Sequence, residues 1–175
     1  MAANGAARHH DIQPGRPRLD PERFTSANRR KLSGPGLRTF VAISDLWGLS
    51  EEQRLRVLGF LPRSTYHGWL KAAREQTEFT LAADVLMRIS AVLGIHQALG
   101  VLNGNVAEAV AWLKTPHRGL PFGGLVPLDI VVGGTQDGIL VVRRFLDAAR
   151  GGLYMQPNSV DEGFRPYADA DIEFA

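Results

Sequence analysis

The 175-residue sequence contains no cysteine, which excludes a disulfide framework, a thiolate nucleophile and a thiolate metal site. It has no continuous apolar run near the roughly 20 residues that span a bilayer. The opening stretch, Met1-Ala-Ala-Asn-Gly-Ala-Ala-Arg-His-His10, lacks the apolar centre of a secretory leader. The expectation is a soluble, cytoplasmic chain with no membrane role. Five scattered histidines and no paired carboxylates leave no recognisable acid, base or nucleophile. Gly133-Gly134 has no P-loop lysine after it and no strand before it. No catalytic residue, metal or cofactor is therefore expected.

What is present suits a small globular protein. Hydrophobic residues make up 45% of the chain, and this length supports one core, or a compact domain with a small appended one. The net charge of +2 conceals a polarity: residues 1–79 carry 13 Lys/Arg against 8 Asp/Glu, and residues 80–175 carry 7 against 10. A positive first half suits phosphate backbones, and an acidic end suits a basic surface.

Residues 1–36 read as a disordered basic arm. Gly, Pro, Asn and Arg are scattered there without periodicity, so little buried apolar surface opposes the entropy of ordering. Arg29, Arg30 and Lys31 form a basic cluster of the kind that lies along a DNA backbone. From Leu37 the pattern turns helical, with Leu37, Phe40, Val41, Ser44 and Leu46 on one face. Ser50-Glu-Glu-Gln53 is a capping box that opens a second helix through Leu55, Val57 and Leu58. Gly59-Phe-Leu-Pro62 breaks the pattern, and Ser64 is placed to cap a third helix.

A helix, a tight break and a helix with a polar start make a helix-turn-helix layout. The first turn of the second of these helices points into the major groove, where hydroxyl, imidazole and guanidinium groups reach base edges. Arg63, Ser64, Thr65, Tyr66 and His67 occupy that turn, with Lys71 and Arg74 set for phosphates and Trp69 and Leu70 facing inward. A long helix follows, capped by Thr80. Leu81, Val85, Leu86, Ile89, Val92, Leu93, His96, Leu99 and Leu102 form its stripe of about six turns, long enough to close a homodimer. Gly94 leaves room there for close helix approach. His96 reads as a hydrogen-bonded core histidine.

Asn105 caps a further short helix ended by Pro116, a loop runs to Gly124, and Pro127 starts another turn or two. Thr135 caps the last helix, with Asp137 in its positive first turn and Ile139, Val142, Phe145, Leu146 and Ala149 as its buried stripe. The fold class is all-α.

Four stretches resemble the Xre/MbcA/ParS antitoxins. These are Leu61-Pro-Arg-Ser-Thr-Tyr-His-Gly-Trp69, Trp112-Leu-Lys-Thr-Pro-His-Arg118, Phe122-Gly-Gly with Pro127-Leu-Asp129, and Arg144-Phe-Leu-Asp-Ala-Ala-Arg-Gly-Gly152. The resemblance covers residues 37–152. It implies an Xre-like helix-turn-helix with a dimerisation helix over residues 37–104 and a small helical toxin-binding domain over residues 105–152. The function it implies is an antitoxin that neutralises a RES-domain toxin, an enzyme consuming NAD or transferring ADP-ribose, and that represses its own operon by binding operator DNA. The other readings of the residues are a stand-alone helix-turn-helix regulator with a ligand- or protein-sensing carboxyl domain, and an adaptor with no DNA role.

The family usually ends soon after the Gly-Gly, whereas residues 153–175 continue as an acidic tail. Asp161, Glu162, Asp169, Asp171 and Glu173 face one Arg165, with Tyr154, Phe164, Tyr167 and Phe174 among them. A dinucleotide pocket presents cations and amides to two phosphates, so an acidic peptide with aromatics imitates both the charge and the stacking of its ligand. These nine acidic and aromatic residues are the expected toxin-binding set.

Overall fold

The computed structural model describes residues 24–152, and every regular element among them is a helix. The first, α1 (Ser26–Trp47), begins inside the segment expected to be a disordered arm. Thr25 caps it by accepting a hydrogen bond from the Asn28 amide. Pro35 lies within it, and Gly34 and Gly36 flank that proline. Three local costs of this kind argue against a helix, and tertiary contact overrides them. Ser33 is fully buried, with its hydroxyl donating to the Arg29 carbonyl (2.6 Å) and accepting from the Leu81 amide (2.8 Å). At Gly36 the helix packs beside Leu86 and Ile89. The buried face is Leu37, Phe40, Ile43, Ser44 and Trp47. Leu46 is exposed rather than buried, because it stands one position off that face.

Ser50 caps α2 (Glu51–Val57) with both halves of the capping box formed. Next comes α3 (Arg63–Glu75), which starts at Pro62 and has no side-chain cap, so Ser64 lies inside the helix instead of capping it. The long helix α4 (Ala83–Leu102) likewise starts from Ala82 without a side-chain cap, and Thr80 is not its cap. Asn105 caps α5 (Val106–Lys114), Pro127 opens α6 (Pro127–Val132), and Thr135 caps α7 (Gln136–Arg150), each as the sequence predicts.

The centre of the molecule is α4, packed chiefly between α1 and α7. By length and composition it is apolar enough to cross a membrane, with a mean hydropathy of 1.6. The count of consecutive apolar residues misses this because Asp84, Arg88, Ser90 and His96 interrupt the run. Here the apolar character serves burial: Ile89, Val92, Ile95 and Leu99 are all but inaccessible. Each such side chain contributes roughly 1.5–3 kcal/mol. The close approach expected at Gly94 is present, since the Arg143 guanidinium lies over it, and Arg143 also donates to the Ser90 carbonyl (3.2 Å). Arg88 reaches the other way and donates to the carbonyls of Val57 (3.3 Å) and Gly134 (2.7 Å). The end of α2 and the α6–α7 turn are thereby tied to one side chain of α4. Gly134 has a φ of +78°, and a Cβ there would stand 2.6 Å from the Arg56 carbonyl oxygen. Only glycine fits both demands.

Candidate DNA-binding and protein-binding surfaces

The pair α2 and α3 is joined by a tight turn in which Gly59 and Phe60 both have positive φ. On α3 the periodicity sorts the candidate DNA contacts into two groups. Ser64, His67 and Lys71 share the outer face, with Arg63 and Arg74 beside them, and all five are exposed. Thr65 is half-buried at the flank. Tyr66 is on the other side, 1% exposed, and is withdrawn from the set of base-reading residues. It is the anchor that the sequence reading assigned to Trp69 and Leu70, which pack only at the edge of the core.

Tyr66 is held by a polar cluster. Arg54 of α2 hydrogen-bonds both Tyr66 and Asp45, the latter at 2.6 Å, and donates to the Leu49 carbonyl at 3.0 Å. Burial pushes the Tyr66 phenol above its ordinary range, and the neighbouring Arg54 only partly opposes this. For Arg54 burial works against the charge, but the bonds to Asp45 and Tyr66 outweigh it and hold the guanidinium above its usual value. The cluster locks α3 against the end of α1 and the start of α2.

Glu51, at the first position of α2, is a contact the sequence reading missed. Its two carboxylate oxygens stand 3.4 Å from Arg63 Nε and 3.4 Å from His67 Nε2. An arriving phosphate would compete with it for both groups. Of the basic cluster on α1, Arg29 is turned inward to the Leu81 carbonyl (2.9 Å), and Arg30 pairs with Glu78. Lys31 is exposed.

At the opposite end of the chain order, the loop between α5 and α6 is fixed from two directions. The His117 amide donates to the Leu125 carbonyl (3.2 Å), and the Gly124 amide returns a bond to His117 (2.8 Å). Beneath it, Trp112 stacks on Phe145 at 5.9 Å between centroids, and Phe122 meets Phe145 edge-on at 4.8 Å. His117 packs 4.4 Å from Trp112 and donates through Nε2 to its carbonyl. The sequence gives this segment as a loop within the expected toxin-binding domain, without marking Leu120 as a contact residue. Leu120, seated between Gly119 and Pro121, was the available signal, since neither neighbour extends a helix around it.

His96 is half-buried, with its ring 6.4 Å from that of Trp47. A groove of about 330 Å³ opens between α1 and α4, lined by Phe24, Leu32, Pro35, Leu86, Met87 and Leu93. The tail set Tyr154, Asp161, Glu162, Phe164, Tyr167, Asp169, Asp171, Glu173 and Phe174 lies outside the described residues.

Two family models match the chain. Residues 26–94 match the antitoxin Xre-like helix-turn-helix domain, and residues 98–152 match the antitoxin Xre/MbcA/ParS C-terminal toxin-binding domain. The chain is also 35% identical over 134 residues to "Uncharacterized protein y4oB" of Sinorhizobium fredii (strain NBRC 101917 / NGR234), an alignment covering 76% of this chain and 98% of that protein.

Proposed function

Because the chain belongs to the Xre/MbcA/ParS antitoxin family and joins a DNA-binding helix-turn-helix to a toxin-binding domain, we propose that it neutralises a RES-domain toxin and represses the operon encoding both. It works in the cytoplasm by binding, not by catalysis. The observation that carries this reading is the placement of two unlike surfaces on one body. A polar, cationic helix start on α3 suits phosphates and base edges, and an apolar loop held out by an aromatic cluster suits a protein. Two copies pair across the α1–α4 groove, and the support for this is its apolar lining of Phe24, Leu32, Leu86, Met87 and Leu93. To read a two-fold operator, such a pair has to hold its two α3 helices about one DNA turn apart.

Neutralisation itself falls to residues 153–175, whose carboxylates and aromatics cover the toxin's NAD site. Support comes from the composition change after Gly152, where a helix with three arginines against two aspartates gives way to acidic and aromatic chain. The test is co-expression with the product of the adjacent open reading frame, followed by mass measurement of the purified complex and inhibition of the toxin. The full chain is expected to co-purify with the toxin and block NAD turnover. Truncation after Gly152 should preserve the complex and weaken the block. Undiminished inhibition by the truncated chain would remove the tail from the mechanism.

A further inference from the structure

The loop between α5 and α6 presents Leu120 with 89% of its surface exposed. Exposure of a leucine is unremarkable on a mobile loop, but this one is pinned by the His117–Leu125 and Gly124–His117 hydrogen bonds and floored by Trp112, Phe122 and Phe145. Leu120 and Pro121 form one wall of a shallow depression of about 390 Å³, and α7 supplies the rest through Val141, Arg144, Phe145 and Ala148. The three arginines of this stretch of α7 differ. Arg143 is bonded to Asp147 (2.6 Å), and Arg150 also pairs with Asp147 (3.8 Å). Arg144 is exposed and has no ion-pair partner among the described residues. A preorganised apolar anchor beside an unpaired guanidinium has the composition of an interface centre, where little ordering entropy opposes binding.

We propose that the Leu120–Pro121 wall and Arg144 of α7 are the docking surface for the toxin, and that it receives a toxin surface made of an apolar pocket rimmed by carboxylates. The inference rests on the toxin-binding reading and deepens it, separating the place of docking from the tail proposed to block the active site. Every residue named lies within the segment that matches the toxin-binding domain. The depression is filled by no other described element, and the charge at its edge selects an acidic partner. Two other occupants are conceivable: the chain's own acidic tail, which starts just beyond α7, and a second copy.

The experiment uses the full chain and the purified toxin encoded beside it. Leu120→Asp and Arg144→Glu are made singly, with Val106→Asp as a control at another exposed apolar position of the same domain. All three side chains are exposed, and circular dichroism checks that each variant folds. Leu120→Asp is expected to weaken toxin binding about 30-fold or more, as the loss of an interface anchor does. Arg144→Glu should weaken it and flatten its salt dependence, while Val106→Asp and operator affinity remain unchanged. Wild-type affinity in both patch variants overturns the assignment, as does equal loss in the control. Tighter toxin binding would give the patch to the tail, and a fall to monomer in sedimentation would give it to a second copy. Absence of any complex with the unmodified chain would instead defeat the toxin-binding reading itself.

Discussion

Tyr66 shows what a residue's own chemistry conveys and what it conceals. A tyrosine in the first turn of a recognition helix reads as a groove contact, since its hydroxyl and ring both suit DNA. Its spacing says otherwise: Tyr66, Trp69, Leu70 and Ala73 follow each other at three and four positions, which is one inward face. By the same count Ser64, His67 and Lys71 make the outward face, so the exposed placement of these candidates was legible and the burial of Tyr66 could have been read with it. Substituting Ser64 and His67 together by alanine is therefore expected to abolish operator recognition at fixed salt with the melting temperature unchanged. Tyr66→Ala would instead cost about 3–5 kcal/mol of stability and confuse the two effects. Tyr66→Phe isolates the phenol. Because burial raises the folded-state pKa, the protonated form is favoured in the native state. Its contribution is whole below the unfolded value near 10 and is lost as pH rises through the folded one. The phenol faces Arg54, Asp45 and Glu51, and arginine stays charged across this range. Urea denaturation between pH 9 and 11 should show a steeper alkaline loss in the unmodified protein than in Tyr66→Phe. Parallel curves would place the titration elsewhere.

Helix ends divide into those that sequence rules capture and those that packing decides. The capping box at Ser50 and the caps at Asn105 and Thr135 form as expected, because a short polar side chain next to free amides needs no tertiary help. The starts of α3 and α4 carry no side-chain cap, and their positions follow from the contacts their faces make. The start of α1 was hidden for a different reason. Its Ser33-Gly-Pro-Gly36 centre has the composition of a linker, and tertiary contact holds it helical, with Ser33 bonded to the Leu81 amide and Gly36 packed beside Leu86 and Ile89 of α4. Two substitutions distinguish these cases. Ser50→Ala removes an exposed cap and should cost about 1 kcal/mol. Ser33→Ala leaves a buried amide unpaired and should cost about 1–3 kcal/mol, with α1 losing hydrogen-exchange protection. Equal, small effects would mean that the helix does not depend on this bond.

The two halves of the chain that carry different functions are joined in a single helix. The stripe on α4 read from the sequence takes in Val85, Ile89, Val92 and Leu99, and its length suggested a homodimer. Ala91, Gly94 and Ala98 are also buried, and these small residues mark where neighbouring helices come close. The buried surface of α4 is therefore wider than one stripe of large residues, and its place between α1 and α7 was written in small residues that a search for large side chains passes over. The Arg88 bonds to Val57 and Gly134, and the Arg143 bond to Ser90, tie together segments far apart in the chain. The helix-turn-helix is then not expected to stand alone. Residues 1–104 contain α1 to α4 entire, yet without α7 the fragment exposes the Gly94 side of α4 and leaves Arg88 half-bonded. Calorimetry should give one cooperative transition for residues 1–152 and none for residues 1–104, with operator affinity lost in the fragment. A fragment melting cooperatively within a few degrees of the longer chain would show that the DNA-binding half folds by itself, and that α7 covers α4 without being needed to hold it.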